Sequence, residues 1–386
     1  MTRQPNRAER AVYLDCAATT PLDPRVEAVL LRCLREDFGN AGSRTHGYGL
    51  RARRAVEHAR DQVARVAGAA RGEVVFTSGA TESNNLALLG LEAHGRERGR
   101  MHLVSSSIEH HAVLEPLRLL ERRGFELTLL PPGPGGWVDP AAVRAAVRDD
   151  TLAVSLMHVN NETGVMQPIG EVAAALRGSE AFFHVDAAQG FGKELESLRD
   201  ERIDLISLSG HKLCAPKGVG ALICRRRNGE RPPLEPLAVG GGQEMGLRPG
   251  TVPVPLAAAL GEAAELAAEE CDARRLAALE MQQRLLAGLA PLEPTLHGAI
   301  DRVLPYILNL SFPGLEAEEV IEAWEGLAAI SDGAACTSQS YTCSHVLSGM
   351  GLPAECLAGA VRLSWCHLSE PPDVEALVAA LRQAKV

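Results

Sequence analysis

Ile203-Asp204-Leu205-Ile206-Ser207-Leu208-Ser209-Gly210-His211-Lys212 is a mostly apolar run that ends in hydroxyls, a glycine, a histidine and a lysine, and Pro216-Lys217-Gly218 follows it. The run has the length and composition of a buried strand. Only residues 209–218 separate it from the next apolar run, too few for a crossover helix, so that next strand is expected to run antiparallel to a neighbour. An amine at the exit of a buried strand has two readings. It either caps the strand end, or it has a lowered pKa and a free lone pair, as in a lysine that forms a Schiff base with an aldehyde.

Outward from this stretch, similar runs recur at 73–77, 102–106, 126–130, 152–157, 181–185, 204–208 and 219–224. Segments long enough for a crossover lie between the first six. This alternation implies an α/β fold with a largely parallel seven-stranded sheet covered on both faces. The character changes after Pro253. An Ala-, Leu- and Glu-rich stretch, 256–289, reads as one long helix or a broken pair. A strand at 303–312, a helical stretch at 316–325, a loop at 331–344 and a final helix from Pro372 complete a smaller α/β layer. The expected division is a large domain, 16–253, and a small domain formed by 1–15 and 254–386.

Composition narrows the function. The formal net charge of -10 argues against a surface that coats nucleic acid, and direct nucleic-acid binding is not expected. The basic run Arg225-Arg226-Arg227 reads as a solvated strand end. Aromatics make up 4%, so the core must be built from Ala, Val and Leu. Nine cysteines, an odd number with no C-x-x-C pair, support neither a disulfide framework nor a four-cysteine zinc site, and no metal is expected. The polar N-terminus shows no secretion signal, and no window approaches the ~18 apolar residues of a membrane span, so a cytoplasmic protein without a membrane partner is expected.

Ligands of parallel sheets bind beyond the carboxyl ends of the strands, and the residues there form a set. Thr77-Ser78-Gly79-Ala80-Thr81-Glu82-Ser83-Asn84-Asn85 leads small residues and hydroxyls into a helix start, either an ordinary cap or a phosphate cradle. Glu109-His110-His111 offers an imidazole that either sits in a polar loop or lies flat on a planar ring. Asn160-Asn161 precede Gly164 as a turn or as ligand donors. Asp186 ends an apolar strand, where a carboxylate is costly unless it caps a helix or meets a cation such as a protonated pyridine nitrogen. Ser209, His211 and Lys212 complete the set. A lysine, an acid, a phosphate cradle and a stacking imidazole are together what pyridoxal 5'-phosphate requires.

These motifs resemble the cysteine desulfurases of the NifS/IscS type, in the class V aminotransferase group of fold-type I pyridoxal-phosphate enzymes. The likeness runs nearly end to end: Tyr13-Leu14-Asp15, Gly39-Asn40 with Ser43 and His46, Phe76-Thr77-Ser78-Gly79-Ala80-Thr81, Glu109-His110, Asn160-Asn161-Glu162, His184-Val185-Asp186 with Gln189, Ser209-Gly210-His211-Lys212, Gly250-Thr251, Ala335-Cys336 and Val361-Arg362-Leu363-Ser364. The resemblance implies that Lys212 binds the cofactor aldehyde, His110 stacks on the ring and handles substrate protons, Asp186 pairs with the ring nitrogen and Gln189 bonds the phenolic oxygen. Thr81, Ser209 and His211 hold the phosphate, and Ala80 also belongs to the cofactor-binding set. Thr251 reaches the phosphate of a second subunit, which implies a homodimer. Arg362 clamps the carboxylate of L-cysteine, with Asn40 near the substrate and Asn161 either at the phenolic edge of the cofactor or near the substrate. Cys336, in a small and polar stretch, takes the sulfur as a persulfide and passes it to an acceptor protein such as an iron–sulfur scaffold or a thiolation enzyme.

Three features depart from the commoner family pattern. Asp332 stands where relatives carry a second serine, Cys343 is an additional thiol that either relays sulfur or is a bystander, and Gly39-Asn40-Ala41-Gly42-Ser43-Arg44-Thr45-His46 is similar to desulfurases of DNA phosphorothioation systems. A selenocysteine lyase, a C–S lyase or an aminotransferase of the same fold remains an alternative, as does a cofactor-binding scaffold that docks a sulfur acceptor.

Overall fold

The computed structural model describes residues 11–333 and 344–384; Cys336 and Cys343 lie outside the described residues. A short strand β1 (Val12–Tyr13) comes first. The main sheet follows, made of β2 (Val74–Thr77), β3 (His102–Ser106), β4 (Glu126–Leu130), β5 (Thr151–Met157), β6 (Phe182–Asp186), β7 (Leu205–Ser209) and β8 (Gly220–Cys224). Its order is β2-β8-β7-β6-β5-β3-β4. β8 is antiparallel to both β7 and β2, and the other pairs are parallel, so every strand but β8 points the same way. The short link after Lys212 forces that reversal, as the sequence led us to expect.

Two apolar layers cover the sheet. On one face Val104, Val154, Phe183 and Ile206 pack with the helices Pro24–Arg35, Gly47–Ala67, Ile169–Ala175 and Val254–Glu269. On the other, Leu103, Leu152 and Leu205 pack with Ala80–Leu89 and His111–Arg122. Period-2 alternation along fully buried strands produces the two faces. Alanine replaces bulk where helices approach closely. A Cβ on Gly261 would stand 2.6 Å from Ala59 Cα, so only glycine lets the Val254–Glu269 and Gly47–Ala67 helices meet there.

The stretch expected as one helix or a pair is a pair, Val254–Glu269 and Cys271–Leu289, broken at Glu270. The first helix of the pair belongs to the first core although it follows residue 253. A second core gathers Leu285, Leu308, Trp324, Leu363, Trp365 and Leu377. It lies on a sheet of β9 (Thr295–Leu296), β10 (Ile307–Ser311), β12 (Ser331–Asp332) and β13 (Val361–Ser364), while β1 pairs with β11 (Ala328–Ala329). The Val374–Ala384 helix closes this layer.

The basic run is solvated at Arg226, as expected, but not at Arg225. Arg225 is 6% exposed, not solvated. Its guanidinium donates to the carbonyls of Ala67, Leu198 (2.7 Å) and Asp200. It caps the Gly47–Ala67 helix, whose last carbonyls have no partner within the helix. Arg227 is partly exposed and pairs with Asp204.

Candidate active site

Residues at and beyond the carboxyl ends of the parallel strands, the Lys217-Gly218 turn before β8 and Arg362 of β13 surround one cavity of about 480 Å³. It opens where the chain leaves β3 and β5 in opposite directions, the place where open parallel sheets bind ligands. Lys212, Asp186, His110, Arg362, Gln189 and Asn161 all line it, and so do Ala80, Thr81, Ser209 and His211. Asn40 and Thr251 do not; both are exposed on the surface of the chain.

Asp186 is the last residue of β6 and is 5% exposed. Oδ2 accepts from Asn84 Nδ2 at 2.7 Å and Oδ1 from the Ala188 amide at 3.0 Å. Each oxygen of this buried side chain therefore has a donor. Two residues earlier, His184 is held between Ser155 and Ser207, and burial pushes its pKa down to about 4, so the base of the site carries a neutral ring.

Lys212 sits in a short helical turn, Gly210–Lys212, after β7. Its Nζ donates to the carbonyls of Ala17 and Ala18, the latter at 2.7 Å. Gln189 Nε2 donates to the same Ala17 carbonyl at 2.8 Å, which leaves its second hydrogen for another acceptor. Gln189 Oε1 is buried with no donor among the described residues. His110 caps the His111–Arg122 helix through Nδ1, which accepts from the Ala112 amide at 3.0 Å, so the ring proton belongs on Nε2. Burial lowers its pKa.

At the other end, the Ala80–Leu89 helix starts at Gly79, which has no side chain to cap the first turn. First-turn N–H groups and the positive end of the helix favour an anion. Ser78, Thr81, Ser209 and Lys217 surround this point. Burial, with Lys212 and Lys217 nearby, pushes His211 down to about 4, so it is neutral at ordinary pH. A Cβ on Gly220 would stand 2.6 Å from Gly79 Cα, so β8 and the cradle fit together only through two glycines.

Arg362 is 1% exposed. Nη1 donates to Asn161 O at 2.9 Å, and Nη2 to Asp15 Oδ1 at 2.8 Å and Ser331 Oγ at 3.2 Å. Nε is buried with no acceptor among the described residues. The two adjacent asparagines divide their work. Asn160 Oδ1 organises the turn by accepting from the amides of Glu162 and Thr163, both at 2.9 Å, while Asn161 faces the cavity.

The donor set fits a phosphorylated pyridine aldehyde: an anion cradle, an amine, a carboxylate at ring depth and an imidazole wall. Sequence reading left Asn84, Lys217 and Asp15 without a role. Helical spacing could have found Asn84, which is three residues beyond Thr81 and on the same face. Asp15 stood in a family motif with no role attached, and it meets Arg362 only through the fold.

The aminotransferase class-V family matches residues 12–377. The cysteine desulfurase IscS of Vibrio cholerae serotype O1 is 43% identical over 376 residues, 97% of this chain and 92% of that protein. Among solved structures, DndA from Streptomyces lividans is 51% identical with a TM-score of 0.80, over 92% of this chain and 99% of its own. A structure described as SspA in complex with cysteine is 35% identical with a TM-score of 0.81, over 94% of this chain and 99% of its own. With the sheet order, the cavity and these likenesses in agreement, the chain belongs to the class-V aminotransferase family.

Proposed function

We propose that the chain is a pyridoxal-phosphate-dependent cysteine desulfurase, which converts L-cysteine to L-alanine and takes the sulfur onto Cys336. The observation that carries this reading is the meeting of Lys212, Asp186 and Arg362 at one cavity beside the root of the Cys336 stretch. Ser331 Oγ lies 3.2 Å from Arg362 Nη2, and Gly333 is tied to the Ala360 carbonyl at 2.6 Å. Cys336 is three residues further, and three residues span at most about 10 Å.

Bound in this cavity, the cofactor supplies an electron sink that weakens bonds around the substrate Cα. The chain does the rest. Arg362 Nε and an Nη hydrogen make a fork for the substrate carboxylate. Lys212 takes and returns the Cα proton. His110 presents Nε2–H as a donor and takes a proton only by giving up its helix cap. The Cys336 thiolate attacks the substrate sulfur. A sulfur–sulfur bond forms, the carbon–sulfur bond breaks with its electron pair left on carbon, and a proton there completes alanine.

Asn40 and Thr251 lie outside the cavity, and Phe38, Tyr48 and Val239 are 64%, 50% and 97% exposed. These exposed apolar groups support a homodimer in which Thr251 serves the partner's site. The likeness to DndA and the 39–46 segment favour an acceptor in DNA phosphorothioation, with an iron–sulfur scaffold or a thiolation enzyme as the other acceptors. No helix among the described residues is long and apolar enough to cross a membrane, which suits a cytoplasmic enzyme.

Persulfide labelling after incubation with L-cysteine tests the reading. The Cys336→Ser protein should keep its yellow cofactor and release no sulfide, and Lys212→Ala should lose covalent attachment of the cofactor. Turnover that survives Cys336→Ser would point instead to an aminotransferase, a C–S lyase or a selenocysteine lyase. Cofactor binding without turnover in the unmodified protein would point to a docking scaffold.

A further inference from the structure

Cys16, Cys214 and Cys366 form a buried cluster of their own, separate from the large apolar cores. They are 198 and 152 residues apart along the chain, so no spacing motif announces them. Sγ of Cys214, Sγ of Cys366 and a ring nitrogen of His367 lie within 4.8 Å of one another. An ion with bonds of about 2.3 Å to sulfur and about 2.0 Å to nitrogen in tetrahedral geometry sets its ligands roughly 3.5–3.8 Å apart. Binding would draw these three ligand atoms together by up to about 1 Å. We propose that Cys214, Cys366 and His367 form a site for a thiophilic divalent cation of the zinc class, and that Cys16, which packs against the two cysteines but lies outside this 4.8 Å group, completes it by a shift of its side chain.

Three surroundings favour a metal site over a chance packing of thiols. His367 Nε2 is engaged by Asp23 Oδ2 at 3.1 Å, which leaves Nδ1 as the nitrogen open to an ion. A carboxylate behind the imidazole is what ordinarily orients a metal-binding histidine. The buried Lys193 ammonium is within electrostatic reach of all three thiols. Three thiolates on a divalent ion carry one net negative charge, and this ammonium offsets it. Finally, Cys214 holds a left-handed backbone (φ 60°), a conformation a non-glycine residue adopts only when its surroundings enforce it. Thr20 Oγ1 accepts from the Cys214 amide at 2.9 Å and the Asp23 amide donates to its carbonyl at 3.1 Å, so the turn is fixed from the same segment that holds His367.

The site joins three segments that build the cofactor cavity. Cys16 adjoins Ala17, whose carbonyl receives Lys212; Cys214 is two residues beyond Lys212; Cys366 is four beyond Arg362. A bound ion would staple the lysine turn, the 15–19 loop and the end of β13 together.

The test uses the full-length holoenzyme carrying Cys336→Ser, which removes the proposed catalytic thiol as a competing ligand. After dialysis against a chelator, Co2+ is titrated in. One Co2+ per chain, with the red absorption of tetrahedral thiolate coordination, is expected. Cys366→Ala and His367→Ala in the same background should bind at least tenfold more weakly, and Cys356→Ser should bind as the parent does. The His367 side chain is 16% exposed, so its truncation leaves the cores intact and decides the matter even if Cys366→Ala fails to fold. A spectrum that stays that of aqueous Co2+, or one unchanged in both variants, overturns the proposal. Loss of two cluster thiols to hydrogen peroxide with no Co2+ binding overturns it too, in favour of a redox pair.

Discussion

Asn84 Nδ2 donates to Asp186 Oδ2 at 2.7 Å, and both side chains are buried. The bond ties the helix that carries the anion cradle to the strand that carries the carboxylate. The two ends of the proposed cofactor site are therefore positioned by one contact. Removing the amide leaves a buried carboxylate with a single donor, and hydrogen bonds to charged groups contribute about 1.5–3 kcal/mol. Asn84→Ala should weaken pyridoxal-phosphate affinity about 10- to 100-fold, measured by spectroscopic titration of the apoprotein. Affinity equal to that of the unmodified protein would show that Ala188 alone suffices.

Glu109 is wholly buried beside His110, and burial pushes its pKa up to about 8 from an ordinary 4.5. Oε1 accepts from Ser106 Oγ at 2.5 Å and from the Met157 amide at 3.0 Å, while Oε2 has no partner among the described residues. The folded protein thus holds a proton that the unfolded chain releases above pH 4.5. This contribution to stability is fully present below pH 4.5 and is lost as pH rises towards 8, at up to about 1.4 kcal/mol per pH unit. Glu109→Gln keeps a neutral group in place. Thermal melts between pH 5 and 8.5 should show the variant gaining on the unmodified protein as pH rises. A constant difference across that range would mean that Glu109 is ionised in the fold.

Gly220 faces Gly79 across β2 and β8. A Cβ on Gly220 would come 2.4 Å from Leu208 O and 2.6 Å from Gly79 Cα, both backbone atoms that cannot swing aside. Overpacking of this kind costs about 1–3 kcal/mol. Because Gly79 begins the cradle helix, Gly220→Ala should lower the melting temperature and also weaken binding of the cofactor phosphate. The two effects are separated by comparing pyridoxal phosphate with pyridoxal. Loss of stability with an unchanged ratio of the two affinities would confine the strain to the sheet.

The strands were legible because short apolar runs end at small polar residues or at prolines: 102–106 and 126–130 coincide with β3 and β4 residue for residue. The direction of β8 followed from the length of one loop. Lys212 and Asp186 were legible for the same reason, since each closes an apolar run. What local pattern could not carry were contacts made by distant segments. Arg362 with Asp15, and Cys16 with Cys214 and Cys366, meet only after the two sheets are in place. A run of three arginines reads as a solvated surface whatever carbonyls the fold later brings to it.

Arg225 supplies the last prediction. Its guanidinium is buried among carbonyls from two segments, Ala67 at the end of the Gly47–Ala67 helix and Leu198 and Asp200 beyond β6. Arg225→Met keeps much of the apolar stem and removes every donor. The abandoned carbonyls lose protein partners, and each buried polar group left so costs about 1–3 kcal/mol. Destabilisation of about 3 kcal/mol or more is expected in urea unfolding, with little change in cofactor affinity because the residue is absent from the cavity lining. Arg225→Lys should recover only part of the loss, since a single ammonium cannot reach the several carbonyls that a planar fork spans. Full stability in the methionine variant would mean that water satisfies those carbonyls and that the cap contributes nothing.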